Sequence, residues 1–186
     1  MEELPLKENI WPSSWGGTIT DNVVTIGDAQ LITKPTISGT SINNYKVSLT
    51  KPDDEIGQFY KLTNNGNIPA VITDAIYSDL TFSSSTNNND DIALIEECIE
   101  LGHDLYYLDE ENEQMAVGES FNSGILCPGA TLMIYIHTGY DSDATEVPSS
   151  KVTVSNISSQ LVFTAGEKSL CNGSTPVEDN NSGGPV

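Results

Sequence analysis

Few side chains in this sequence are of a type and spacing that could do chemistry. Its two histidines, His103 and His137, stand apart. Neither has a second histidine one helical turn away beside a glutamate, the arrangement that holds a catalytic zinc. His103 reads as a residue just past a helix stop, and His137 as a residue on one face of a strand. No Gly-x-Ser-x-Gly elbow exposes a serine, and neither histidine has a recognisable nucleophile partner. Gly16-Gly17 lacks the lysine and the helix pattern that follow a phosphate-binding loop. Acidic stretches at Asp109 to Glu113 and at Asp141, Asp143 and Glu146 invite calcium, but neither has the ligand spacing and central glycine of a helix-loop-helix site. Both read as solvated acidic loops. No catalytic residue, no cofactor site and no metal-ligand set is therefore expected.

Cys98, Cys127 and Cys171 are the three cysteines, so at most one intrachain bridge can form. Cys127 adjoins the turn Cys127-Pro128-Gly129 and Cys171 lies in the C-terminal region, so either could meet Cys98 in an oxidising compartment. Free half-buried thiols are the alternative, since cysteine packs as a small hydrophobe. Asn156-Ile157-Ser158, Asn172-Gly173-Ser174 and Asn180-Asn181-Ser182 match the glycosylation acceptor pattern, and a chain rich in Asn and Ser produces such matches by composition.

Charge excludes more than it assigns. Twenty-seven acidic residues face 7 lysines, arginine is absent, and the formal net charge is −20. Phosphate recognition needs clustered cations, so nucleic acid and anionic membranes are poor partners. Hydrophobic residues make up 37% and charged residues 18% of the 186. With abundant Ser, Thr, Asn and Gly, this is the composition of a β-protein with polar faces and many turns. No apolar run is long enough to span a membrane, and MEELPLKENI lacks the basic and apolar blocks of a secretory leader.

The elements that must position these residues follow from periodicity and turn signals. Thr18 to Ile32 contains two β-like runs broken at Gly27-Asp28. Ile42 to Leu49 alternates with Tyr45, Val47 and Leu49 on one face. Lys51-Pro52-Asp53-Asp54 makes a turn before Gly57 to Thr63, and Asn64-Asn65-Gly66-Asn67 carries the Asn-Gly signal of tight turns. Ile68 to Ile76 is the next strand. A polar loop, Ser83 to Asp91, precedes the one predicted helix, in which Asp90 or Asp91 is the cap, Ile92, Ile95 and Ile99 form the apolar stripe, and Gly102 is the stop. Leu105 to Leu108 and Met115 to Gly118 form a hairpin. Thr131 to Tyr140 alternates again, and Lys151 to Val154 and Leu161 to Phe163 are two final strands separated by Asn156 to Ser159. This pattern predicts an all-β fold, a jelly-roll-like or Ig-like β-sandwich with one short helix in a long inter-strand insert. Three regions follow: an N-terminal arm (1–17), the sandwich (18–166) and a disordered tail or linker (167–186).

Three ordered segments carry a family resemblance. Leu49-Thr50-Lys51-Pro52-Asp53-Asp54 leads into Phe59-Tyr60-Lys61-Leu62-Thr63-Asn64-Asn65-Gly66-Asn67-Ile68-Pro69-Ala70. Leu126-Cys127-Pro128-Gly129-Ala130-Thr131 precedes a strand ending Tyr140-Asp141. Val147-Pro148-Ser149-Ser150-Lys151-Val152-Thr153-Val154 is followed by Leu161-Val162-Phe163. In order and spacing they resemble the camelysin/TasA-like secreted proteins of Firmicutes, some of which build biofilm matrix fibres, over most of residues 42 to 164. Asp53 stands where that pattern has glycine. The resemblance implies an exported β-sandwich whose leader has been removed, located outside the cell or at its surface.

The expected function is an extracellular structural subunit that self-associates into fibres by strand donation. Thr18 to Ile32, or the piece before it, is the expected donor, with Trp11 and Trp15 as anchors. The alternative is a monomeric surface module for carbohydrate or a protein partner, with Tyr106, Tyr107, Tyr135 and Tyr140 as stacking surfaces. No activity as an enzyme is expected.

Overall fold

The structure is a computed structural model that describes residues 1–3, 16–108, 115–117 and 124–171. Its first strands are β1 (Glu2–Glu3), β2 (Thr18–Thr20), β3 (Val23–Ile26), β4 (Gln30–Thr33), β5 (Thr36–Ser38), β6 (Ser41–Leu49) and β7 (Glu55–Thr63). There follow β8 (Ala70–Tyr77), β9 (Thr81–Ser84), helix α1 (Asn89–Cys98), β10 (Ile99–Leu108), β11 (Met115–Val117), β12 (Ile125–Leu126), β13 (Thr131–Tyr140) and β14 (Val152–Ala165).

They build two antiparallel sheets packed as a sandwich, with the helix between strands as expected. The first has the order β11-β10-β13-β7-β3-β2, with β1 also on β7. The second has the order β12-β8-β14-β6-β4, with β5 on β6 and β9 on β14. Between the sheets, Ile42, Tyr60, Leu62, Ile72, Leu105, Leu132, Ile134, Ile136 and Leu161 fill one end. Tyr45, Val47, Leu49, Ile56, Val152, Val154 and Ile157 fill the other, closed by Ile95 of α1. The first sheet is apolar on its outer face as well, where Val24, Phe59, Tyr106, Met133 and Tyr135 are all buried. This second layer explains why β13 is buried almost throughout, although its sequence alternation suggests a half-buried strand. No helix among the described residues is long and apolar enough to cross a membrane.

Long-range pairing overrides several local sequence signals. The helix stops at Cys98 rather than Gly102, because Ile99 to Gly102 already pair with Tyr140 to His137 in the β10–β13 ladder. The cap is Asn88 rather than Asp90 or Asp91; its side chain accepts from the Asp90 amide at 3.0 Å. Asp91 is buried and ties the helix to Ser149 and Ser150. The two final strands are one 14-residue strand, β14. Asn156, at φ 60°, sits where the register shifts against β6, so the turn-like residues form a bulge instead of a turn. The Asn64 to Asn67 segment does not fold β7 back on β8, since these strands belong to different sheets. Asn64 organises it by accepting from the Gly66 amide and donating to the Ile68 and Leu126 carbonyls, at 2.8 to 2.9 Å.

The start of the expected tail is tied down. Residues 168–171 form a 3-10 turn, and Cys171 is bonded to Cys127. Residues 172–186 lie outside the described residues.

Candidate functional site

The edge of β7 away from β13 is shared by two short strands. Residues 55–58 pair with β3, and Tyr60 and Lys61 pair with Glu3 and Glu2 of β1. Among the described residues this ladder has two rungs, against the five or six residues of an ordinary strand, so its described part is weak by itself. Side chains reinforce it. Glu2 pairs with Lys61 at 3.0 Å, and Glu3 pairs with Lys34 at 2.5 Å. Gln58 Nε2 donates to Glu3, and the Met1 ammonium donates to the Gly39 carbonyl at 2.8 Å. The hydrogen bond and charge of Lys61 hold the Glu2 carboxyl below its ordinary range. An open space of about 190 Å³, lined by Met1, Glu2, Lys61, Thr63 and Asn65, continues along this edge.

Beside β1 the fit is incomplete. Tyr60 and Gln58 are 1% and 2% exposed, yet the Tyr60 hydroxyl and the Gln58 side-chain oxygen have no hydrogen-bond partner among the described residues. Such orphans cost about 1–3 kcal/mol each. Burial, and secondly the Glu3 carboxylate, push the Tyr60 hydroxyl pKa up, so it stays protonated.

A second cluster lies on the outer face of the same sheet. Register places His137 between Gly57 of β7 and Gly102 of β10. Both glycines are required, because a Cβ on Gly102 would collide with the His137 ring and one on Gly57 with the Tyr135 ring. His137 stacks on Tyr135, with centroids 5.4 Å apart and planes at 12°. Its Nδ1 lies 3.4 Å from Glu55 Oε2 and its Nε2 lies 3.4 Å from Asp104 Oδ2. The Tyr135 hydroxyl donates to Glu55 Oε1 at 2.6 Å. Burial works against charge on His137, but Asp104 and Glu55 outweigh it and raise the pKa to about 9. Burial likewise disfavours the Glu55 carboxylate, and His137 and Tyr135 outweigh that and lower its pKa. An imidazolium charged at neutral pH is a poor general base. The carboxylates flank opposite ring nitrogens, so one ion cannot bind both through a shared nitrogen. Among the described residues no group of three or more His, Cys, Asp or Glu is placed to hold a metal.

His103 is a strand residue, not a residue beyond the helix, because β10 begins at Ile99. It points between the sheets, where the Tyr77 hydroxyl lies 2.7 Å from Nδ1 and the Ser159 hydroxyl 3.1 Å from Nε2. Burial, then the charge of His137, lower its pKa to about 4, so it is neutral and bridges β10 to β8 and β14. A serine beside a histidine matches a nucleophile pair in composition only. His103 is 7% and Ser159 5% exposed, and the third partner is a phenol rather than a carboxylate.

The bridge joins Cys127 to Cys171, and Cys98, for which the sequence leaves a bridge and a free thiol both open, is the free cysteine at the end of α1. Tyr106, Tyr135 and Tyr140 are buried, and the Tyr140 hydroxyl donates to the Glu146 carbonyl at 2.7 Å, so these rings pack rather than present a platform. Asp141 accepts from the Asp143 amide at 2.8 Å in a local turn. Trp11, Trp15, the acidic loop 109–113, the Tyr107 side chain and the acceptor-pattern residues Asn172 and Asn180 lie outside the described residues. Glu55 and Asp104 are not recognisable as site residues from sequence, since only register brings them to His137; the glycines at 57 and 102 are the one sequence trace of the crowding. The chain matches no known family model, no curated protein sequence and no solved structure.

Proposed function

We propose that this chain is an extracellular structural subunit of the camelysin/TasA-like kind, able to self-associate by exchanging its N-terminal strand between copies. One observation supports the reading: with β3 on residues 55–58, the rest of this β7 edge is met among the described residues by two residues of β1, beside an open groove and two buried polar atoms that lack a partner among the described residues. An edge so lightly closed accepts an antiparallel strand from another chain through main-chain hydrogen bonds. Thr18 to Thr33 is built into both sheets as β2, β3 and β4, so the donor role falls to the piece before it. The Cys127–Cys171 bridge supports an oxidising location outside the cell.

Deleting residues 1–17 tests the reading. The full chain is expected to give filaments in negative-stain electron microscopy as concentration rises, and the truncated chain to stay monomeric. Filaments unchanged by the deletion, or none from the full chain, would refute strand donation.

A second reading, a monomeric module binding glycan or protein, draws on a groove of about 200 Å³ on the second sheet. Ser41, Asn43, Ser78, Ser158 and Gln160 line it, with Ile76 55% exposed beside them. Glycan-array binding by a strictly monomeric protein would favour it.

A further inference from the structure

Lysine is scarce in this chain, with 7 against 27 acids, yet two lysines converge on the two residues of β1. Lys61 reaches Glu2 from β7 itself, and Lys34 reaches Glu3 from the segment between β4 and β5. Among the described residues, the other groups facing β1 are Gln58 and Tyr60 on β7, Gly39 in the turn between β5 and β6, and Thr63 and Asn65 at the groove. The lysines and the Met1 ammonium are the cations in this set, and its carboxylates are those of Glu2 and Glu3.

We infer that Lys34 and Lys61 form an electrostatic clamp that retains β1 on its own chain and selects an acidic strand, so that release of this edge is gated by ionic strength and acid. The inference rests on the strand-donation reading above, and adds to it the chemistry that recognises the strand and the condition that frees it. Main-chain bonding over the two described residues of β1 carries no side-chain information, so the side-chain pairs at Glu2 and Glu3 supply the discrimination. Both pairs are partly exposed, with the lysine side chains 45% accessible at Lys34 and 39% at Lys61. Exposed pairs change an equilibrium by about two- to fivefold each and weaken with salt. That factor shifts how often these two rungs are open. The sign with acid follows from Glu2: its depressed pKa means that its hold is complete above the ordinary carboxylate range and is lost as pH falls through the lowered value.

Amide hydrogen exchange over Tyr60 to Thr63 in the full-length protein tests the clamp, in wild type, Glu2→Gln, Lys61→Glu and the swapped pair Glu2→Lys/Lys61→Glu. At low salt the single variants are expected to exchange about threefold faster than wild type. The swapped pair should return close to the wild-type rate, and the four proteins should converge at high salt, where charges are screened. Equal rates in all four at low salt, or a Lys61→Glu increase that the swap does not reverse, would overturn the clamp. Light scattering on the same samples separates the two ideas. Monomers throughout, with the exchange pattern as expected, uphold the clamp and refute assembly by strand donation.

Discussion

His137 and His103 answer to pH with opposite signs, although they occupy adjacent rungs of the β10–β13 ladder. The His137 pKa is raised from 6.5 to about 9, so its contribution is complete below about 6.5 and is lost as pH rises through about 9. The His103 pKa is lowered from 6.5 to about 4, so the unfolded state takes up the proton first and stability falls as pH drops from about 6.5 through about 4. Each limb corresponds to about 3 kcal/mol by linkage. Denaturant unfolding across pH should therefore give a maximum near neutrality. His137→Gln is expected to flatten the alkaline limb and to shrink the acid limb without abolishing it, since burial stays on His103 when the His137 charge is removed; an unchanged alkaline limb would show that Glu55 and Asp104 do not hold the proton. The same cluster predicts that Gly57→Ala costs about 1–3 kcal/mol through overpacking against Tyr135, measured by the denaturation midpoint. Gly27 is a comparable case in the neighbouring loop, where φ is +68° and a Cβ would strike the Asp54 carboxylate. That buried carboxylate accepts from the amides of Asp28, Thr50 and Lys51 and from the Thr50 hydroxyl, at 2.7 to 3.1 Å.

At the level of elements, two long-range ties hold pieces that their own sequence would not hold. Asp91 accepts from the Ser149 amide at 2.7 Å and from the hydroxyls of Ser149 and Ser150, and these bonds keep its pKa low. Asp91→Ala should free α1 from the segment before β14, read as faster exchange at the Ser149 amide and a lower Tm. The Cys127–Cys171 bridge closes a separation of 44 residues, and its reduction should lower stability by about 3–4 kcal/mol in the chain-entropy account. Equal denaturation midpoints with and without reductant would contradict this. Local determinants are legible in the sequence and distant ones are not. The alternation of Tyr45, Val47 and Leu49 and the antiparallel pairing of β10 with β11 can be read directly, because side-chain period and nearness along the chain announce them. Asp53 adopts φ 67°, which its short polar side chain tolerates. The helix end escapes sequence reading because Ile99 suits both a helical stripe and a strand, and only its pairing with Tyr140 decides. Asn156 to Ser159 read as a turn because the same residue types build a bulge. Glu55 and Tyr135 are 80 residues apart, and no local pattern announces their bond.

For the whole molecule, a net charge of −20 acts on folding and on assembly in the same direction. Within one chain the acids repel each other across the compact state, and between chains they hold copies apart. Salt screens both, since the Debye length falls from about 30 Å at 0.01 M to about 8 Å at 0.15 M. It also weakens the pairs at Lys34, Lys51 and Lys61, but these are exposed and individually small. Repulsion among 27 acids with 7 lysines is the larger effect, so Tm measured by scanning calorimetry should rise as sodium chloride is added at neutral pH. A falling Tm would mean that the contact pairs dominate. On the proposal made above the two terms meet at β1, where salt would loosen the Lys34 and Lys61 pairs while it lowers the repulsion between copies. If strand donation is the proposed assembly route, self-association should be slowest at neutral pH and low salt and fastest toward the isoelectric point near 4.1, followed as light scattering against pH at fixed concentration.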